Sequence, residues 1–237
     1  MFKQLSLAIA TLSAAFVVTG LTAESSRASS LVNGDFENPF VRNGTFRFND
    51  ASIVPGWKTT DTRNHIEIWG DGFLGVNAAV GRQFAELNAQ SASTIFQDVT
   101  DIDAGLEVGF EFYHRARKGT DVMSLEITDL GQDNIFGTLD DTSLFYNTYS
   151  ATTAAWVYNT NESEDAIITL GNTLRFAYGA VSTGSRNNTV GNFLDAVSFG
   201  VGVGAEETQP VPEPASLLGL LVVGSLCASS LKRKKSA

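Results

Sequence analysis

The chain has one cysteine, Cys227, near its C-terminus. Nothing upstream of it can be held by an internal disulfide, so a folded unit there depends on packing or on bound metal. Histidine is nearly as scarce. His65 and His114 are the only two, which leaves little material for imidazole catalysis. No His-Glu-x-x-His run occurs, no Gly-x-Ser-x-Gly turn surrounds a serine, and the Gly200–Gly204 stretch leads into a linker instead of a helix. Zincin, nucleophile-elbow and phosphate-loop chemistries therefore have no motif to stand on. Basic residues are also in deficit, 16 Lys and Arg against 26 Asp and Glu, for a formal charge of −10. That balance excludes a nucleic-acid partner, which needs a basic surface to neutralise phosphate.

What is abundant is apolar and aromatic. Sixteen Phe in 237 residues are too many for a disordered acidic chain, and the length suits one ordinary domain with extra segments. Residues 1–28 and 206–237 each carry a net charge of +1, so the acidic excess lies between them.

At the N-terminus, Lys3 precedes an uncharged stretch from Gln4 to Ala23 with an apolar centre over Leu5–Leu21. A basic start, an apolar middle and small residues before a cut describe a secretory signal peptide over residues 1–28. Cleavage after Ala28 and after Ala23 both remain open, as does an uncleaved anchor.

The C-terminus has three parts in fixed order. Pro210, Pro212 and Pro214 make residues 206–214 an extended acidic linker, since proline blocks helix entry. Seventeen uncharged residues, 215–231, then read as a short transmembrane helix. Lys232-Arg233-Lys234-Lys235 would keep the tail 232–237 cytoplasmic by the positive-inside rule. An ordinary single-pass anchor would share these parts.

The sequence Val211-Pro212-Glu213-Pro214-Ala215, followed by an apolar helix and a basic end, resembles the PEP-CTERM sorting signal of Gram-negative bacteria. The resemblance implies an exosortase as partner, with Pro212, Glu213 and Pro214 as its recognition element. It also implies export across the inner membrane, a C-terminally anchored precursor, and a destination at the cell surface or in the extracellular matrix.

Between the two ends, residues 29–205 alternate with period two. Val108, Phe110, Phe112, His114 and Ala116 alternate with Gly109, Glu111, Tyr113, Arg115 and Arg117; similar patterns run over 65–69, 123–128 and 174–180. Further strands are expected over 31–37, 94–99, 143–149, 154–158, 166–170 and 194–201, with at most a short turn in 77–90. Turn signals such as Asn33-Gly34, Pro55-Gly56, Gly70-Asp71-Gly72 and Gly171-Asn172 punctuate them. About ten short strands predict an all-β chain, an antiparallel β-sandwich or jelly roll.

Leu31-Val32-Asn33-Gly34-Asp35-Phe36-Glu37, then Pro55-Gly56-Trp57, and at the far end Phe193-Leu194-Asp195-Ala196-Val197-Ser198-Phe199, resemble the edges of galactose-binding-like jelly rolls, including carbohydrate-binding modules. The resemblance implies a structural calcium ion joining first and last strands through Glu37 and Asp195, with Asp35 and Glu67 nearby. A second calcium candidate comes from spacing. Asp129, Asp133, the Ile135 carbonyl and Asp140 occupy positions 1, 5, 7 and 12 of a calcium loop, although Gly131, Asn134 and the missing Glu depart from the EF-hand pattern. An acidic hairpin that stays solvated explains the same residues.

For a glycan ligand, His65, Glu67 and Trp69 are expected on one strand face and Tyr113, Arg115 and Arg117 on another, with Trp156 and Tyr158 as a second pair. Flat rings stack on pyranose faces while carboxylates and guanidinium groups orient hydroxyls. The readings that follow are a non-catalytic glycan or exopolysaccharide module with exposed rings, a structural surface protein with buried rings, or a polysaccharide-cleaving enzyme with a cleft holding two close carboxylates.

Overall fold

The computed structural model describes residues 31–162 and 165–201. The signal peptide, linker, apolar helix, basic tail and the motif Pro212, Glu213 and Pro214 lie outside the described residues. No helix among the described residues is long and apolar enough to cross a membrane.

Among the described residues twelve strands form two antiparallel sheets. The first sheet contains β1 (Phe46–Asp50), β3 (His65–Gly70), β4 (Gln83–Glu86), β12 (Phe193–Val201), β6 (Glu107–Arg115) and β10 (Ile167–Ile168), in that spatial order. In this sheet β9 (Val157–Thr160) also pairs with β6. The second runs β2 (Lys58–Thr59), β5 (Thr94–Val99), β11 (Leu174–Ser182), β7 (Thr120–Asp129) and β8 (Thr142–Thr152). The expected all-β sandwich is what the chain builds.

The alternation works as its physics requires. On β6, Val108, Phe110, Phe112 and His114 are buried, while Glu111 is exposed and Tyr113 and Arg115 are half-buried. Met123, Leu125 and Ile127 on β7 meet Leu174, Phe176 and Tyr178 on β11 in the same core. Successive side chains point to opposite faces, so one face of each sheet becomes the sandwich interior.

β3 departs from this pattern. Ile66 and Ile68 enter the main core, but Glu67 and Trp69 on the other face are buried as well. A second cluster of Trp69, Phe84 and Phe193, with Phe73, Val76, Ala78 and Trp156 against it, covers the outer face of the larger sheet there.

Three expected strands are corrected. Residues 31–37 form a turn, because Asn33 and Phe36 take φ of 54° and Phe36 N–H bonds back to Asn33 O. Leu31 and Phe36 still reach the core, from a loop. The strand expected over 154–158 falls at 157–160, and 166–170 shrinks to Ile167–Ile168. The strands at 46–50, 58–59 and 83–86 were not expected; 83–86 lies inside the segment read as a turn. β4 is buried at all four positions, so it shows no period-two alternation to read.

Candidate functional site

The last strand sets the geometry. Between Asp195 and Ser198 the β12–β6 pairing shifts register, and Ala196 takes φ of 46°. This bulge inserts a residue, so that Leu194 and Val197 both enter the core. Bulges commonly re-aim side chains beside a site. Here one borders a groove of about 640 Å³ lined by Glu111 and Tyr113 of β6, Tyr158 of β9, Ser198 of β12 and the turn Asn33–Asp35.

The groove's polar groups converge on Glu111. Tyr158 Oη donates to Oε2 at 2.5 Å and Ser198 Oγ to Oε1 at 2.8 Å. The hydrogen bond to Glu111, with burial and nearby negative charge adding, pushes the Tyr158 phenol up to about 12, so it remains a donor at neutral pH. Cross-strand pairing sets Tyr113 opposite Tyr158, with ring centroids 5.2 Å apart and tilted by 51°. Tyr158 is 48% exposed, enough to offer a ring to a ligand. Two rings beside an anchored carboxylate can stack on a sugar while accepting and donating hydroxyl hydrogen bonds.

The named glycan residues separate. Tyr113 lines the groove. Arg115 turns away, its Nη2 donating to Thr153 O at 2.6 Å. Trp69 is fully buried and Glu67 is 3% exposed, which corrects the expected open face at β3: Trp69 packs edge-on or tilted against Phe73, Phe84 and Phe193, and no ring face is left for stacking. Trp156 likewise packs on Phe84 and donates from Nε1 to Asn77 O. Glu111 and Ser198 were not singled out; the period-two pattern put Glu111 on the outer face beside Tyr113, and that was the available signal.

The smaller sheet also has an open face. Phe96, Ala177, Glu126 and Tyr146 form a cross-strand row over β5, β11, β7 and β8. Arg175 fills one end, stacked 4.0 Å from Phe96 and 4.4 Å from Phe136 and paired with Asp98, whereas Tyr146 is exposed.

The acidic candidates fall into two groups. Glu37 and Asp195 both hold the 78–83 segment. Asp195 Oδ2 accepts from Ala79 and Val80 N–H at 2.7 and 3.0 Å, and Glu37 Oε1 accepts from Arg82 and Gln83 N–H at 2.5 and 2.9 Å. Burial, with the Glu37 charge adding, pushes the Asp195 carboxyl up to about 7 although three backbone N–H groups oppose it. Ala196 N–H takes Asp195 Oδ1 as well, so a cation here would share oxygens already hydrogen-bonded, and two carboxylates alone fall short of the six to eight oxygens calcium takes.

In the 129–141 loop most carboxylate oxygens are taken up by nearby donors, although Asp129 Oδ2 and Asp141 Oδ1 are buried without a hydrogen-bond partner among the described residues. Asp129 Oδ1 accepts from Gly131 N–H and Asn172 Nδ2, Asp133 Oδ1 from Ile135 N–H, and Asp140 Oδ2 from Gln132 N–H. The Thr138 hydroxyl first, and Gln132 N–H after it, hold the Asp140 carboxyl below its ordinary range. Among the described residues no group of three or more His, Cys, Asp or Glu is gathered to hold a metal.

His114, 0% exposed, places Nε2 3.0 Å from Asn192 Oδ1. Burial pushes it down to about 4. It is a neutral core residue on the opposite face of β6 from its neighbour Tyr113, which lines the groove.

No protein-family model matches the chain, and no curated protein does. Solved structures with similar folds include the C-terminal family 22 carbohydrate-binding module of Clostridium thermocellum Xyn10B, at 12% identity and a TM-score of 0.42 over 68% of this chain and 96% of that one. TmCBM61 in complex with β-1,4-galactotriose is similar at 14% and 0.41, over 67% and 98%. The CBM22-1 xylan-binding domain from Paenibacillus barcinonensis Xyn10C is similar at 11% and 0.43, over 70% and 99%. None of these likenesses says what this chain binds.

Proposed function

We propose that the chain is an exported, exosortase-sorted protein of the cell envelope or extracellular matrix whose β-sandwich binds polysaccharide without cleaving it. The groove carries this reading: two tyrosine rings, one nearly half exposed, beside a carboxylate fixed by two hydroxyl donors. Such a site offers ring faces and orienting polar groups together, which is the composition of a saccharide site. A sorting tail with the motif at Pro212, Glu213 and Pro214 would deliver the domain to the matrix where such polymers lie. A structural cation, calcium by its preference for oxygen, would be held by Glu37 and Asp195 and would supply positive charge between the N-terminal turn and the last strand.

The non-catalytic part of the proposal has its own test: glycoside cleavage takes two carboxylates about 5–10 Å apart flanking the scissile bond, Asp35 lines the groove together with Glu111, and release of reducing ends from xylan would overturn it.

Titrating the full chain with soluble xylan and with β-1,4-galactotriose tests the site. Tyr158→Ala is expected to weaken whichever binds by about tenfold, the equivalent of about 1.4 kcal/mol, and Tyr146→Ala on the other sheet to leave it unchanged. The reverse pattern would move the site to the smaller sheet; no binding of any polysaccharide tried would sink the module reading.

A further inference from the structure

A second pocket, about 460 Å³, opens on the same sheet and is lined by Phe46 and Phe48 of β1, Arg63, Glu67, Gln90 and Arg117 among others. Arg117 is held in place before any ligand arrives. Its guanidinium lies 4.7 Å from the Trp69 ring centroid, and Nη1 donates to both Glu86 oxygens at 3.0 Å. Both of those bonds leave from one nitrogen. Among the described residues Nη2 and Nε have no hydrogen-bond partner, and the Arg63 guanidinium has no ion pair.

Glu67 sits opposite Glu86 across the β3–β4 ladder and accepts from Trp69 Nε1 at 2.8 Å. Burial pushes both carboxyls up, and the neighbouring Glu86 charge pushes Glu67 further. Arg117 is ion-paired with Glu86, while the neighbouring Asp61 carboxylate is taken up by the Arg63 and His65 N–H groups. On a chain of formal charge −10, two guanidinium groups thus line one pocket.

We propose that this pocket binds the carboxylate of an acidic sugar, a uronate unit within a polysaccharide, through Arg63 and Arg117. Planar guanidinium forks match carboxylates in two-point fashion. Phe46 and Phe48, edge to face at 5.5 Å and 41% and 38% exposed, supply the apolar wall on which a sugar ring rests. The choice of a sugar over another carboxylate rests on the glycan-binding reading above; the anion site itself rests on the two arginines.

Calorimetric titration of the full chain at fixed ionic strength with trigalacturonate, its methyl ester and triglutamate provides the test. Trigalacturonate should bind at least tenfold tighter than the ester and than triglutamate. Arg63→Ala, on an exposed loop, should remove about tenfold of that affinity, and Arg117→Lys, which keeps the charge opposite Glu86, should also weaken it. Equal affinity for acid and ester, or no effect of Arg63→Ala, overturns the anion site, and triglutamate binding as tightly overturns the sugar. Failure here with Tyr158-dependent binding of neutral glycan intact removes this pocket alone; loss of the neutral glycan with trigalacturonate still held through Arg63 removes the groove alone.

Discussion

Trp69 and Tyr113 have similar sequence surroundings, an aromatic ring in the polar phase of an alternating strand, and opposite fates. Trp69 lies under the 71–80 loop with Phe84 and Phe193, while Tyr113 lies where the turn at 33–35 and the β12 bulge leave a groove. His114 shows the same dependence on surroundings, and it makes a sharp prediction. Its folded-state value, about 4, is depressed below the ordinary histidine value of 6.5, so the unfolded chain binds more protons. Its contribution to stability is thus present above about pH 6.5 and lost as pH falls towards 4. A depression of that size corresponds to roughly 3 kcal/mol at the acid end. Denaturant melts between pH 7 and 4 should show a shallower acid loss for His114→Gln, which keeps a donor for Asn192 without titrating. An unchanged slope would assign the acid loss to other groups.

At the level of elements, the N-terminal turn and the last strand are joined by close contact, and glycine permits it. A Cβ on Gly34 would sit 1.9 Å from Val197 O, while Val197 N–H donates to Gly34 O at 2.9 Å. Gly81 plays a matching part, with φ of +70° and a would-be Cβ 2.3 Å from Glu37 Oε1. Gly34→Ala must push the turn off β12. A loss of about 1–3 kcal/mol is expected, together with weaker glycan binding, because the turn is one wall of the groove. Thermal melts and titration of the same preparation check both. Normal stability with reduced binding would mean that the turn adjusts at the groove's expense alone.

For the whole molecule, two packed sheets close a core without any disulfide, and Asp195, its carboxyl raised towards neutrality, lies between the segments that close it. If calcium occupies the Glu37–Asp195 pair, removing it withdraws about 2.7 kcal/mol when the ion had been at a hundred times its dissociation constant. In a domain of this size that is a melting shift of about 5–10 °C downward on adding chelator. An identical melt with and without chelator removes calcium from the account. The tail has its own check: in cells lacking an exosortase, the chain should accumulate at precursor size in the membrane fraction, and an unaltered size and location would refute processing.

The sequence by itself determined that this is a β-sandwich, because side-chain alternation with period two fixes which face of β6, β7 and β11 is apolar, and burial follows from that. It likewise marked Tyr113, Tyr158, Glu37 and Asp195 as chemically able residues. Where a strand is buried on both faces, as β4 is, or where a turn carries apolar residues inward, as 31–37 does, no period exists to read, and those elements were missed or misassigned. Only the tertiary structure decided that Trp69 is core and Tyr158 is surface, and that Glu67, Glu86 and Arg117 meet. Those outcomes depend on which loops cover which part of a sheet, a matter of contacts between residues more than a hundred positions apart, such as Gly191 N–H on Glu86, and local pattern carries no information about them.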